Sequence, residues 1–118
     1  MLKAAAILKE KGLAAAAKKA DRVAADGRVE AYMHPGNKLA SLVEVNCETD
    51  FVANTEDFTT LCKEIVMQVA SMNPPDVEIL LKQSYIRDGS KTVEDLVKAL
   101  VAKTGENVKI VRFVRFEL

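Results

Sequence analysis

Tryptophan is absent from this 118-residue chain, and aromatic residues make up only 5% of it. Its core must therefore be filled by Val, Leu, Ile and Ala, and 49% apolar content is enough for one ordinary core and one domain. Net charge is also missing: 17 Lys and Arg face 17 Asp and Glu, which leaves no general field to hold nucleic acid or a membrane surface. No apolar run approaches the roughly 20 residues that span a bilayer, and the N-terminus carries no secretory pattern. Cys47 and Cys62 are the only cysteines and form no CxxC pair. Each lies on an apolar face of its segment, as expected of buried free thiols in a reducing compartment. The one histidine, His34, abuts Pro35 at a turn. It lacks the second histidine or paired thiols that a metal site needs. Neither cysteine has the cationic or helix N-terminal setting of a Cys–His nucleophile. GxxxxGK[ST], GxGxxG, HExxH and EF-hand patterns are all missing. These absences support no catalytic residue, no cofactor and no metal, and point to a binding domain rather than an enzyme.

What is present is first an uneven charge. Residues 1–28 hold seven basic side chains (Lys3, Lys9, Lys11, Lys18, Lys19, Arg22, Arg28) against three acids. That is either a solvated helix face or a patch that steers an acidic partner. Residues 2–24 read as an Ala-rich helix, bent at Gly12. Arg28–His34 alternates, with Val29, Ala31 and Met33 on one face and Arg28, Glu30 and Tyr32 on the other. Leu39–Glu48 resumes the alternation after Pro35-Gly36-Asn37, with Leu39, Val43, Val45 and Cys47 sharing a face, so the pair predicts a β-hairpin. Glu56–Met72 predicts a helix, its stripe running Phe58, Leu61, Cys62, Ile65, Val66, Val69, Met72. Asn73-Pro74-Pro75 ends it. Val77–Leu81 is either a short helix or extended, and Asp88-Gly89-Ser90 reads as a turn. Thr92, with Asp95 three residues on, caps a second helix striped by Val93, Leu96, Val97, Leu100 and Val101, and Gly105 closes it. Val108–Leu118, apolar on both faces for a stretch, reads as a central strand. The fold class is α+β: a three-stranded antiparallel sheet with helices packed on one face, preceded by an N-terminal helix. The expected division is an N-terminal helical segment, 1–24, and an α+β core domain, 25–118.

The corner Asn46–Thr55, NCETDFVANT, joins the second strand to the main helix. Asp50 can accept hydrogen bonds from free N–H groups of a following helical turn, and Asn54 can do so for the main helix. Side-chain chemistry leaves two readings. One is a capped turn with Phe51 tucked into the core. In the other, Asp50 holds the backbone while Phe51 and Val52 project as an apolar knob, which is costly to expose unless something receives it.

The stretch NCETDFVANTEDF (Asn46–Phe58) resembles the signature of the elongation factor Ts family. The likeness continues through Leu13–Ala53, Leu80–Val97 and Lys103–Leu118, where GEN and RF..FE recur. It implies a guanine-nucleotide exchange factor that meets the GTPase domain of elongation factor Tu in its GDP form. The corner would act beside the helix that helps hold Mg²⁺–GDP, through Thr49, Asp50 and Phe51 with Val52 in support. Phe51 would be the wedge, and Asp50 would fix the corner or bond the partner. The same resemblance implies a cytoplasmic protein, or one of a mitochondrial or plastid matrix, with no nucleic acid or membrane contact. Two departures qualify it. Leu2–Gly12 resembles only the last helix of the family's usual N-terminal module, and the connection after Asn73-Pro74 is short, with one sheet subdomain. The chain is thus either a fragment or a naturally reduced form, and weaker binding is expected. The departures also motivate an alternative: a reduced module that binds elongation factor Tu without effective exchange. A homodimer paired through the sheet at Val108–Leu118 is a further expectation. No cysteine lies there to bridge it.

Overall fold

The strongest local signal lies in the second strand. From Leu39 onward alternate residues turn inward: Ser41 donates its hydroxyl to Val66 O, and Val43, Val45 and Cys47 are all fully buried in the computed structural model, which describes residues 22–118. This is β2 (Leu39–Cys47), the middle strand. It pairs antiparallel with β1 (Asp26–Met33) on one side and β5 (Lys109–Glu117) on the other. A Pro35-Gly36 turn joins β1 to β2. Between β2 and β5 the register slips at Glu44/Val45, and Val111 is the extra residue on β5.

Among the described residues, four helices cover one face of this sheet. A single turn, α1 (Asp50–Ala53), leads into α2 (Glu56–Met72). The α2 stripe is buried from Phe58 to Val69, while Met72 at its end is exposed. Asn73 adopts the left-handed conformation, φ 46°, and closes the helix. Val77–Leu81 proves helical: α3 spans Val77–Lys82, capped by Asp76 and anchored by the fully buried Leu80. The hairpin of β3 (Ser84–Tyr85) and β4 (Asp88–Thr92) follows. It is pinned by Gln68, a buried polar side chain of α2. Its Nε2 donates to Gln83 Oε1 and Ser84 O, and its Oε1 accepts from the Ile86 amide at 3.0 Å. Last comes α4 (Val93–Thr104), with the complete Thr92–Asp95 capping box and Gly105 left-handed after it.

Three sequence expectations are corrected. Strand β5 is an edge strand, not a central one. Its outward apolar residues line the second face of the sheet, which carries no helix among the described residues. Asp88–Ser90 belongs to β4, and the turn falls at Ile86–Arg87. Residues 22–25 are irregular, so no helix reaches residue 24; the rest of the helical segment expected over 1–24 lies outside the described residues.

The uncovered face is set by register. Three rows cross it: Val29–Glu44–Arg112, Ala31–Leu42–Val114 and Met33–Ala40–Phe116. The first is salt-bridged, Arg112 Nε to Glu44 Oε1 at 2.8 Å. The other two are wholly apolar, with Met33 59% and Phe116 70% exposed. On β1 it is therefore the apolar side that faces out. The polar side lies under α2, where Arg28 donates to Thr59 Oγ1 at 2.8 Å and pairs with Glu30 at 2.8 Å.

Candidate functional site

The corner at 46–55 is built from two consecutive N-caps. Thr49 and Thr55 both take extended backbone angles, and each side chain accepts from an amide three residues on, Val52 N and Phe58 N, at 3.3 Å. The caps are therefore the threonines. Asn54, expected to cap the main helix, instead ends α1, its side chain donating to Asp50 O at 2.9 Å. Asp50, expected to hold the backbone by its carboxylate, is the first residue of α1. Its side chain is exposed and makes no hydrogen bond or ion pair among the described residues. The reason is positional: an N-cap must be extended, and the residue before Asp50 already is.

One helical turn then separates two adjacent apolar residues. Phe51 is 80% exposed, whereas Val52 is 5% exposed and sits in the core with Ala53. The projecting knob is thus Phe51 alone. Val52, expected to project beside it, anchors the turn instead. Thr49, Asp50 and Phe51 are brought together on one exposed edge.

The corner is clasped from a distance by the loop after α4, a feature the sequence reading did not single out as a site. Glu106 Oε1 accepts from the amides of Glu48 and Thr49, both at 3.0 Å, and its Oε2 accepts from the Thr49 hydroxyl at 2.6 Å. In return, Glu48 Oε2 accepts from the Asn107 amide. The Asn107 side chain donates to Arg22 O at 2.8 Å, and Asn46 Nδ2 to Ala24 O at 3.2 Å. The lead-in at 22–24, the corner and the 105–107 loop therefore form one knot. The only sequence signal for Glu106 was its place in GEN, directly after the helix-closing Gly105.

Beneath the corner lies Cys47, whose thiol donates to Thr49 O at 3.1 Å. Burial, then the Glu106 carboxylate, push this thiol up to about 11. Burial likewise pushes Cys62 up to about 12. Both stay protonated at neutral pH, which removes them as nucleophiles. His34 is exposed, its Nδ1 2.8 Å from the Tyr32 hydroxyl. Among the described residues there is no cluster of His, Cys, Asp and Glu that could hold a metal, and no helix long and apolar enough to cross a membrane.

The sequence profile of the family described as "Elongation factor TS" matches residues 48–118, from the clasped corner through the last strand. The chain belongs to the elongation factor Ts family. Curated relatives carry the likeness over the rest. Elongation factor Ts of Thermoanaerobacter sp. (strain X514) is 44% identical over 162 aligned positions, covering 99% of this chain and 79% of the relative. Elongation factor Ts of Clostridium acetobutylicum is 52% identical over 114 positions, covering 97% of this chain and 37% of the relative. That of Nostoc sp. (strain PCC 7120) is 47% identical over 111 positions, covering 94% and 35%. The Thermoanaerobacter alignment is longer than this 118-residue chain by more than forty positions, so that relative has residues within its matched span with no counterpart here. The membership makes this chain a translation elongation factor by family.

Proposed function

We propose that this chain is a guanine-nucleotide exchange factor for elongation factor Tu, acting through Thr49, Asp50 and Phe51. The observation that carries this reading is Phe51: a large apolar side chain held out in solvent by a turn whose neighbours are buried or bonded. Leaving it there forgoes roughly 2 kcal/mol of burial, a cost offset when a partner receives the ring. Asp50 beside it offers the same partner a carboxylate with no hydrogen bond or ion pair among the described residues, and Val52 supports both from the core.

The chemistry requires no reaction by the chain itself, so it is not an enzyme. In a nucleotide site Mg²⁺ is the largest local counter-charge to the diphosphate. A wedge that displaces the groups holding Mg²⁺ in the partner's GTPase domain weakens GDP. Linkage makes this reciprocal: GDP weakens the exchanger by the same factor, so the ternary complex is transient and resolves when GTP enters. The working unit is the core domain from residue 25 onward, in the cytoplasm of a bacterial cell, as fits the bacterial relatives. The open sheet face supports a second proposal about assembly: two copies pair sheet to sheet, covering the rows through Leu42 and Ala40.

The test is release of a fluorescent GDP analogue from elongation factor Tu. Acceleration by the chain, lost with Phe51→Ala and reduced with Asp50→Ala, is the expected result. No acceleration at saturating chain overturns exchange and leaves the binding module without exchange, which the residues missing relative to the Thermoanaerobacter protein favour. Equal acceleration by both variants overturns the site.

A further inference from the structure

We infer that Glu106 is the positioning residue of the Thr49–Phe51 corner, fixing it before any partner arrives; the inference rests on the exchange reading above. Among the described residues, every hydrogen bond its carboxylate makes to another segment goes to the corner: two to consecutive amides, one to the Thr49 hydroxyl. Those two amides belong to neither β2 nor α1. They lie in the bend between them, where no regular partner exists, and a single anionic oxygen accepts both.

The hydroxyl contact does more. Thr49 Oγ1 must accept from Val52 N to start α1. A hydroxyl has one hydrogen and rotates to suit its neighbours. By taking that hydrogen, Glu106 turns the Thr49 lone pairs toward Val52 N, and so sets the turn that carries Phe51. Glu106 is itself fixed. It follows the left-handed Gly105, its amide donates to Thr104 Oγ1 at 3.2 Å, and the adjacent Asn107 amide is held by Glu48. Glu106 thus holds the Glu48 amide with its carboxylate, while Glu48 holds the amide of Asn107, the residue that follows Glu106.

The clasp is half open to solvent, so water can replace its bonds in the folded chain at little cost. Its contribution is to geometry more than to stability, and this separates a positioning role from a structural one. Loss of Glu106 should leave the fold standing and blunt the wedge.

The experiment compares the unaltered chain with Glu106→Ala and Glu106→Gln in two measurements. Amide hydrogen exchange on the chain alone reports the clasp. GDP-analogue release from elongation factor Tu reports its use. Ala offers no acceptor. It is expected to lose protection at the Glu48 and Thr49 amides, keep the thermal midpoint, and slow chain-stimulated release by about tenfold. Gln keeps one oxygen for the amides but meets the Thr49 hydroxyl with a donor. It is expected to keep the protection and slow release by about threefold. Unchanged protection in the Ala variant overturns the inference. So does wild-type release by Ala in an assay where Phe51→Ala abolishes it. Should Ala lower the thermal midpoint, the isosteric Gln variant decides, and its release at the wild-type rate overturns the inference. A wild-type chain that fails to accelerate release strikes the exchange reading instead, and the amide measurement then judges Glu106 alone.

Discussion

Phe51 and Val52 are neighbours in sequence with opposite fates, and substitution should separate them. Phe51→Ala removes a side chain that touches mostly water, so its unfolding free energy should stay within about 0.5 kcal/mol of the wild type while stimulated GDP release is lost. Urea unfolding beside the release assay checks the pair. Gly27 is the contrary case. Its φ is 139°, and a Cβ there would lie 2.2 Å from Val45 O and 2.6 Å from Asn46 Cα, both backbone. Gly27→Ala should cost on the order of 3 kcal/mol, read as a lower urea midpoint. The buried thiols set a pH limit. Each folded value lies above the ordinary 9.0, so the folded chain holds protons that the unfolded chain releases. The stability from these neutral thiols is complete below about pH 9 and is lost as pH climbs through about 11 for Cys47 and about 12 for Cys62. Unfolding midpoints should therefore fall between pH 9 and 11, with a shallower slope in a Cys47→Ala, Cys62→Ala chain.

At the scale of elements, the parts with a strong period were readable. Strand β2 and helices α2 and α4 follow from apolar spacing alone, because burial on one side of a regular element leaves that pattern. The α4 caps were equally plain. Thr92→Ala removes one half of the capping box and should cost about 1 kcal/mol, measured by thermal unfolding. What was not legible depends on contacts distant in sequence. The apolar run of β5 is the same whether a strand is central or lines an open face, and only pairing distinguishes them. Gln68 lies within the apolar stripe of α2, and its burial is explained only by the hairpin it holds. At the corner, the spelling Thr-Asp-Phe-Val says that something is capped. It does not say that Thr49 does it, that Val52 turns inward, or that a carboxylate 57 residues away completes it.

At the scale of the whole molecule, the described residues give the sheet one finished side and one unfinished side. The four helices of the described residues lie on the finished side. On the other, Val29, Met33, Leu42, Val114 and Phe116 are exposed together. Contiguous apolar surface of this kind marks an interaction site. Leu42 is central to it, flanked in register by Ala31 and Val114. If two copies meet here, light scattering should report a dimer mass for the wild type and a monomer for Leu42→Glu, with the α-helical circular dichroism unchanged. A wild type that remains monomeric at high concentration removes the pairing.

The knot that joins Arg22, Thr49 and Glu106 also orders events during biosynthesis. Strands β1 and β2 and helix α2 leave the ribosome well before residue 106. A nascent chain at that stage has its hairpin and main helix but an untied Thr49 and an unset Phe51. The last loop and β5 then arrive together, one tying the corner and the other completing the sheet. A chain halted before residue 106 would thus carry a slack tip, and Phe51 gains its set position only once that residue has been made.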